Sequence, residues 1–141
     1  MSGTTIRALT VRQPWAGAIA HHGKTVENRS WPTRWRGTLF IHAAKTATPG
    51  LNLITNTLDR SAIVAVATLV DCHADDGKCT PWANHPDPAA WHWLLADVRT
   101  LSQPIACKGA LGLWIPTPEI IEAVLADLAR PHLTLVPGGA K

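Results

Sequence analysis

The alternation of apolar and polar positions predicts a chain built mainly from short β-strands. Ile6 to Gln13 alternates and is rich in β-forming residues, and Thr38 to His42 is a second apolar strand. Ala62 to Cys72 is long, β-branched and apolar enough to be a central strand. Val98 to Ile105 and Ala110 to Ile115 are predicted as two further strands.

Two segments carry the signals of helices. Pro14 precedes a run of good helix formers from Trp15 to His22, and Gly23 ends that run. Near the C-terminus Thr117 is a good N-cap, and helical spacing continues through Leu128. Because these helices do not alternate with the strands, the pattern favours an α+β fold, a small mixed β-barrel with flanking helices, over a doubly wound sheet.

The other segments are predicted as loops with short pieces of regular structure. They comprise an extended piece at 26–29, a loop with a helix at 46–60, a polar, proline-rich loop at 73–90 whose short helix closes at 91–95, an edge strand at 133–136 and a frayed tail at 137–141. The sequence shows no internal repeat and no interior linker. We therefore expect residues 1–141 to form a single domain.

Composition limits the class of protein. The apolar fraction is 46% and the charged fraction 16%, which is typical of a folded globular chain and not of a disordered one. No apolar run approaches the roughly 20 residues of a membrane helix, and the N-terminus does not have the pattern of a signal peptide. Three irregularly spaced cysteines indicate reduced thiols. We expect a cytoplasmic monomer with no membrane contact.

Charge and aromatic residues are concentrated in the first third of the chain. The stretch from Leu9 to His42 contains three tryptophans and four arginines, and Glu27 is the only acidic residue between Arg7 and Lys45. Indole rings stack on bases and fixed cations pair with phosphates, so this density predicts RNA or DNA as the partner. A solvated basic face with no partner is the alternative reading, because the net charge is only +3.

The same stretch carries a recognisable motif. Its parts are Gln13-Pro14-Trp15, then Gly23, Lys24, Glu27 and Arg29 in the spacing GxKxxExR, then Trp31 and the Arg36-Gly37 step. This combination closely resembles the opening of the ASCH domain, and the resemblance extends over about residues 6 to 115, in pattern nearest to the transcription-coactivator type. It implies a PUA-like β-barrel with a cleft beside the first helix, and an association with RNA, DNA or modified bases.

The resemblance also implies two kinds of enzyme. Some small ASCH proteins resemble amidohydrolases that remove the acetyl group from N4-acetylcytidine, and others have been associated with ribonuclease activity. In the deacetylating relatives a lysine is followed three positions later by a threonine, and a distant glutamate completes the set. Lys24 matches the lysine, Glu27 occupies the threonine position, and Asp71 is the nearest candidate for the distant acid. These are the candidate catalytic residues.

Binding residues follow from the same comparison and from side-chain chemistry. Arginines pair with phosphates in a bidentate way, and Trp31, in a turn between charged residues, is the predicted stacking ring, whereas Trp15 is predicted to be core. Gln13 would read a base edge or be a buried glutamine satisfied by the backbone. Trp82 would cover the cleft as a lid. The full predicted nucleic-acid-binding set is Gln13, Lys24, Arg29, Trp31, Arg34, Arg36 and Trp82.

Lys24 and Glu27 are three residues apart, so they would form an ion pair if the first helix continued for another turn. Either the pair works in a cleft, or it is a surface ion pair with no role. Nucleic-acid binding is the primary hypothesis. The alternatives are a hydrolase of a modified nucleoside and an interaction module for a small molecule or a protein.

The middle of the chain contains a group of potential metal ligands. Cys72, His73, Cys79 and His85 fall within fourteen residues, but adjacent ligands are poor spacing for one tetrahedral zinc ion and no CxxC is present. No phosphate-binding glycine loop or dinucleotide fingerprint occurs either. We therefore expect no metal and no cofactor.

Overall fold

The computed structural model describes residues 5–50, 58–75 and 90–130, which form a curled mixed sheet with two helices packed on it. The elements in chain order are β1 (Arg7–Val11), α1 (Trp15–His21), β2 (Val26–Arg29), β3 (Gly37–Ala43), β4 (Ala62–Ala74), β5 (Trp91–Ala106), β6 (Leu113–Trp114) and α2 (Pro118–Ala129). The strand order is β2-β5-β4-β3-β1-β6. The β1–β3 pair is parallel, and the other pairs are antiparallel. This open half-barrel confirms the predicted α+β, PUA-like fold.

Both faces of the sheet are buried, and alternation along the strands divides the apolar side chains between two cores. Leu9 and Val11 of β1 pack with Ile19 of α1 in the first core. Ala8, which precedes Leu9 and faces the other side of the strand, is in register with Phe40 of β3 and joins it in the second core, against which residues of α2 pack. Burial on both faces explains why β1, β3 and the first half of β4 are nearly continuous apolar runs.

Irregular pairing between β4 and β5 curls the sheet. The register shifts at three places, between Ile63 and Ala65, between Val66 and Thr68, and between Leu69 and Asp71. Each irregularity bends the strands and increases their twist. As a result the outer strand β2 curves towards β1, and Arg29 Nη2 donates a hydrogen bond to the carbonyl oxygen of Thr10 at 2.6 Å. We call the unpaired gap between β2 and β1 the seam.

Helix α2 is fixed at both ends. Thr117 Oγ1 accepts a hydrogen bond from the Ile120 amide at 3.2 Å, so the predicted N-cap and helix are confirmed. Near the other end the buried carboxylate of Asp127 accepts the amides of Ser102 and Gln103 at 2.8 and 3.0 Å. Those bonds join α2 to β5. Neither helix in the described part of the chain is long and apolar enough to cross a membrane.

Two predicted elements differ from the structure. Trp91 to Leu95 does not close a helix but begins β5, because this segment pairs with β2 on one side and β4 on the other. The strand predicted over 110–115 is reduced to the two residues of β6. The predictions of a helix within 46–60, a helical turn in the 73–90 loop, an edge strand at 133–136 and a frayed tail fall largely or wholly outside the described residues.

Candidate functional site

A cavity of about 480 Å³ lies in the seam. Residues of β1 and β2 form two of its walls, and the segment leading into β6 forms another. Its lining consists of Leu9, Thr10, Arg12, Trp15, Glu27, Arg29, Ala44, Thr48, Ala110, Leu111 and Gly112. The cavity therefore lies where the curled sheet brings β2 near β1 but the two strands do not pair through backbone hydrogen bonds. We call it the seam pocket.

The carboxylate of Glu27 lies between two cations at the base of the seam pocket. Lys24 Nζ is 3.3 Å from Oε1, and Arg29 Nε is 3.1 Å from Oε2. Lys24 is 3% exposed and Glu27 is 7% exposed. The predicted ion pair is thus present, but it is buried, and the alternative of a surface pair is wrong. Removing one partner of such a pair is far more disruptive than breaking a surface pair.

Local backbone geometry brings Lys24 and Glu27 together without a helix. Helix α1 ends at His21, and Gly23 follows with a φ of +71°, a conformation that favours glycine. The chain then turns so that the Lys24 amide donates to the carbonyl oxygen of Ala18 at 3.2 Å. Glu27 follows on strand β2. The spacing of three residues correctly indicated a contact, but the contact forms without the additional helical turn that was its stated condition.

The environment changes the acid–base properties of Lys24. Burial lowers the pKa of its ammonium group below 10.5, an effect that the Glu27 charge and hydrogen bond oppose and the Arg29 charge reinforces. The amine also donates to the carbonyl oxygen of Val26. A lowered pKa gives lysine a larger neutral fraction, which is the form that accepts a proton.

Arg29 joins the two sides of the seam. One part of its guanidinium pairs with Glu27, and another part donates to Thr10 on β1. Its side chain is 22% exposed and lines the seam pocket. The group is therefore held rigidly while part of it faces the cavity. A positioned guanidinium of this kind suits phosphate or carboxylate groups.

The outer part of the seam pocket carries an aromatic ring and a second cation. Trp15 is 39% exposed and lines the cavity, so its predicted place in the core is wrong. Although Trp15 belongs to α1, the core-facing side of that helix is occupied by alanines and Ile19. Arg12 is exposed and lines the same cavity, as does Leu111, which is 97% exposed.

A buried hydrogen-bond chain supports the wall beside Thr10. Trp114 Nε1 donates to Thr10 Oγ1 at 3.1 Å, and that hydroxyl is 3.2 Å from His42 Nδ1. His42 Nε2 is 2.8 Å from the carbonyl oxygen of Cys107, which only accepts. The network assigns the proton of neutral His42 to Nε2, so Nδ1 accepts from Thr10. Burial lowers the pKa of His42 below 6.5, in keeping with the neutral form.

Gly109 lets the 107–112 segment approach this network closely. A Cβ at Gly109 would lie 2.6 Å from Thr10 Oγ1 and 2.7 Å from His42 Cε1, closer than the atoms tolerate. Sequence reasoning missed both Gly109 and His42 as determinants of the pocket wall. The only available signals were a histidine ending an apolar strand and a glycine after a lysine, and neither is specific.

Gln13 and Trp31 are held away from the seam pocket. Gln13 is 2% exposed, with Nε2 donating to the Asp59 carbonyl oxygen at 2.8 Å and Oε1 accepting the Gly17 amide at 2.8 Å. This is the buried, backbone-satisfied alternative. Trp31 packs edge-on against Trp93 with ring centroids 4.7 Å apart, and its carbonyl oxygen accepts from Trp93 Nε1. Neither residue lines the cavity.

The remaining predicted residues do not join the Lys24–Glu27 pair. Arg34 is exposed, and Arg36 is 3.7 Å from Asp71 in an exposed ion pair. Glu27, Trp93 and Cys72 are in register across three strands, so Asp71 points to the opposite face from Glu27. Asp71 is therefore not brought to Lys24. Trp82 lies outside the described residues.

Two of the four candidate metal ligands belong to the described residues. Cys72 and His73 lie on β4, whereas Cys79 and His85 fall outside the described residues. Within residues 5–50, 58–75 and 90–130, no group of three histidine, cysteine, aspartate or glutamate side chains is placed to hold a metal ion.

The arrangement supports two kinds of chemistry. Arg12, Arg29 and Trp15 provide positive charge and a flat ring for an anionic aromatic ligand. Glu27 lines the same cavity with its carboxylate, and the Lys24 amine lies directly behind it, 3.3 Å from Oε1 and outside the cavity lining. A carboxylate and an amine in contact are groups that can transfer a proton.

Comparisons with known proteins agree with this fold. A crystal structure of an ASCH protein from Zymomonas mobilis superposes with a TM-score of 0.56 at 16% identity, covering 86% of this chain and 94% of that one. A tyrosine-to-phenylalanine variant of that protein gives a TM-score of 0.59 at 17% identity, covering 86% and 97%. A serine-to-alanine variant gives 0.57 at 16% identity, covering 89% and 98%.

A comparison with curated proteins found no significant match. The ASCH domain model, in contrast, matches residues 9–105, which is more than half of the chain. With the curled six-stranded sheet and the motif around Lys24, this match identifies the protein as a member of the ASCH domain family.

Proposed function

We propose that this protein binds single-stranded nucleic acid, RNA or DNA, by taking one base into the seam pocket. The ring would stack on Trp15, and Arg12 and Arg29 would hold a neighbouring phosphate. Lys24 is too deeply buried to be a primary phosphate contact, which revises its predicted role in binding.

The observation that carries the proposal is the combination of an exposed tryptophan with two arginines around one cavity. A volume of about 480 Å³ is within the usual range of small-molecule sites, and suits one nucleotide unit rather than a duplex. A base must be unpaired to enter such a cavity and expose its face to an indole ring. Single strands or flipped-out bases are therefore the expected ligands.

The charge of the site favours an anion. Lys24 and Glu27 neutralise one another when both are ionised, and Arg12 and Arg29 remain as two positive charges. If Lys24 is neutral, the set still carries one net positive charge. The attraction to phosphate consequently persists in either protonation state of Lys24.

The test is a titration of a fluorescein-labelled eight-nucleotide single strand, followed by anisotropy at several salt concentrations. Affinity should fall steeply with salt, and Arg12→Ala should reduce the slope of log K against log[salt] by about 0.7. Arg34→Ala is the matched control, since it removes an equally exposed arginine that does not line the cavity. Equal effects of the two variants, or binding independent of salt, would contradict the proposal.

A second function is favoured by one observation, the buried Lys24 amine beside Glu27. In this hypothesis a water molecule attacks the acetyl carbonyl of N4-acetylcytidine, giving its proton to neutral Lys24. The proton then passes to the departing cytosine nitrogen, so that acetate and cytidine are released. Glu27 would position the amine.

Chromatography of N4-acetylcytidine incubated with the protein tests this second function. Release of cytidine by the wild type and its loss in Lys24→Met would support an amidohydrolase. Unchanged substrate would exclude this activity, and the binding function would stand alone. Cytoplasmic location and a monomeric state stay predictions that oligomer analysis and cell fractionation would check.

A further inference from the structure

Four neighbouring strands each have one of their ends at the same side of the sheet, next to the seam pocket. Val11 of β1 is in register with Ala43 of β3, which pairs with Ala62 of β4, which in turn pairs with Ala106 of β5. These four residues form a row across the sheet. At about 4.8 Å per strand, three steps span roughly 14 Å.

Each of these strand ends is next to an exposed cation. Arg12 directly follows β1, Lys45 follows β3 by two residues, Arg60 precedes β4 by two residues, and Lys108 follows β5 by two residues. We call these four residues the basic rim. Within the connecting segments 12–13, 44–48, 59–61 and 107–112, Asp59 is the only acidic residue. The basic rim therefore carries a clear excess of positive charge.

Hydrogen bonds between these segments hold the basic rim together. Arg60 Nη1 donates to the carbonyl oxygen of Lys45 at 3.4 Å, and the Ser61 amide donates to that of Ala43 at 2.8 Å. The Cys107 amide donates to the carbonyl oxygen of Ser61 at 3.0 Å. The cations thus project from a backbone whose position is fixed.

The basic rim is continuous with the seam pocket. Arg12 belongs to both, and Ala44, immediately before Lys45, lines the cavity. On the other side Lys108 is two residues before Ala110, where the pocket wall begins. A chain whose base occupies the pocket would leave it beside these cations.

We propose that the basic rim binds the phosphate backbone of the nucleotides that flank the base in the seam pocket, so that the protein binds an oligonucleotide and not an isolated nucleotide. This inference rests on the proposed function and extends it. A row of about 14 Å spans several phosphate groups of a single strand. An acidic peptide would also find positive charge there, but the exposed Trp15 at the adjoining cavity favours a ligand with flat rings.

The cations of the basic rim are far apart in sequence, and none of them belongs to the binding set predicted from the sequence. That set includes Arg34 and Arg36 because they lie in the tryptophan-rich stretch. The fold places Arg36 beside Asp71, away from the row of strand ends. Strand register, which sequence spacing does not reveal, is what gathers Lys45, Arg60 and Lys108.

The test compares two triple variants that lose the same charge. The first, Lys45→Ala/Arg60→Ala/Lys108→Ala, removes the basic rim without Arg12. The second, Arg34→Ala/Arg99→Ala/Arg130→Ala, removes three exposed arginines elsewhere. Each protein is titrated with a nucleoside 5′-monophosphate, with an eight-nucleotide single strand and with octaglutamate. Thermal unfolding checks that each variant is folded. If the first triple variant does not fold, the charge-reversed single variant Lys108→Glu takes its place.

We expect the rim variant to weaken octanucleotide binding at least tenfold and to reduce its salt slope by about 2, since each phosphate contact contributes about 0.7 on single strands. Binding of the monophosphate should be unchanged, and the control triple should shift octanucleotide affinity less than twofold.

Equal losses in the two triples would overturn the proposal, because they would show that only total charge matters. Monophosphate binding with an unaffected octanucleotide would overturn the basic rim while leaving the seam pocket intact. Octaglutamate that binds as tightly and depends equally on the rim would overturn the choice of nucleic acid. Failure of every nucleotide ligand to bind would overturn the proposed function and the basic rim together.

Discussion

Two cavities of similar size among residues 5–50, 58–75 and 90–130 differ in chemical character. The seam pocket, about 480 Å³, contains a buried carboxylate held by cations, and Trp15 exposed at its edge. The second, about 420 Å³, is a groove between the sheet and α2 whose only charged side chains are Asp97 and Arg99. We call it the helix groove. Since the two volumes are comparable, size does not explain why the seam pocket is the candidate binding site. The difference lies in its fixed charged groups and in the exposed ring of Trp15.

The two cavities also differ in how strongly their charged groups affect the stability of the fold. At the seam pocket the buried Glu27 carboxylate is paired with the buried Lys24 and with the partly buried Arg29. In the helix groove Asp97 and Arg99 are exposed, where charges contribute little. Removing a charge should therefore lower the free energy of unfolding much more at the seam pocket than in the helix groove.

The largest expected effect is that of Glu27→Gln. It leaves the buried Lys24 and the partly buried Arg29 without their carboxylate, so the free energy of unfolding should fall by about 3 to 5 kcal/mol. Asp97→Asn is the matched control in the helix groove. Asparagine tolerates the φ of +52° found there, and the change should stay within about 0.5 kcal/mol. Urea unfolding measures both variants, and similar values would remove the distinction between the two cavities.

The second prediction concerns ligand affinity. Trp15→Ala should weaken binding of a single-stranded oligonucleotide by about 1 to 3 kcal/mol, or roughly 5- to 150-fold, because it removes a stacking surface. Leu125→Ala is its control, since Leu125 is 50% exposed and lines the helix groove. Anisotropy titrations compare the two. An unchanged affinity in Trp15→Ala would show that this ring takes no part in binding.

The wall of the seam pocket gives a third test. Gly109→Ala forces a methyl group into Thr10 and His42, so the unfolding free energy should fall by about 1 to 3 kcal/mol and ligand affinity should fall with it. Gly23→Ala is a useful comparison, since the added methyl group would have no atom within 4 Å and only the positive φ of this position disfavours alanine. Gly23→Ala should cost about 1 to 2 kcal/mol in stability and leave ligand affinity unchanged. If Gly109→Ala were as stable as the wild type, the close approach would not matter.

The smallest expected effect is a pH dependence from His42. Because burial lowers its pKa in the folded state, the unfolded chain binds more protons as the pH falls below about 6.5. The contribution of neutral His42 to stability is therefore fully present above about pH 6.5, and it is lost as the pH falls towards the lower pKa of the folded state. In His42→Gln this part of the decline between pH 7 and 5 should disappear. Unfolding curves at several pH values test it, and parallel profiles would contradict it.

The sequence predicted the elements that depend on local patterns. The apolar run of β4 and the Thr117-capped helix were found because periodicity and capping are local signals. The pairing of Lys24 with Glu27 was expected only if the first helix continued for another turn, and the structure forms the pair without that turn. Strand β5 was partly misread, because its first residues are held in a strand by pairing with β2 and β4 and not by their own propensity.

The local sequence did not reveal which tryptophan ring packs against the protein and which is exposed. Trp31 lies in a proline-containing turn and was expected to be available for stacking, yet its ring packs on Trp93. Trp15 follows a strand at the start of a helix and was expected in the core, yet it is exposed at the seam pocket. Which ring is buried depends on the curl of the sheet, and that curl comes from irregular pairing of β4 with β5.

The most direct test of the central claim is an NMR titration of the isotope-labelled protein with a nucleoside 5′-monophosphate and then with an eight-nucleotide single strand. We predict that the Trp15 indole N–H and the amides of Thr10 and Gly112 shift with both ligands, while the amides of Thr68 and Leu125 in the helix groove stay unchanged. Shifts confined to the helix groove, or none at either cavity, would contradict the account.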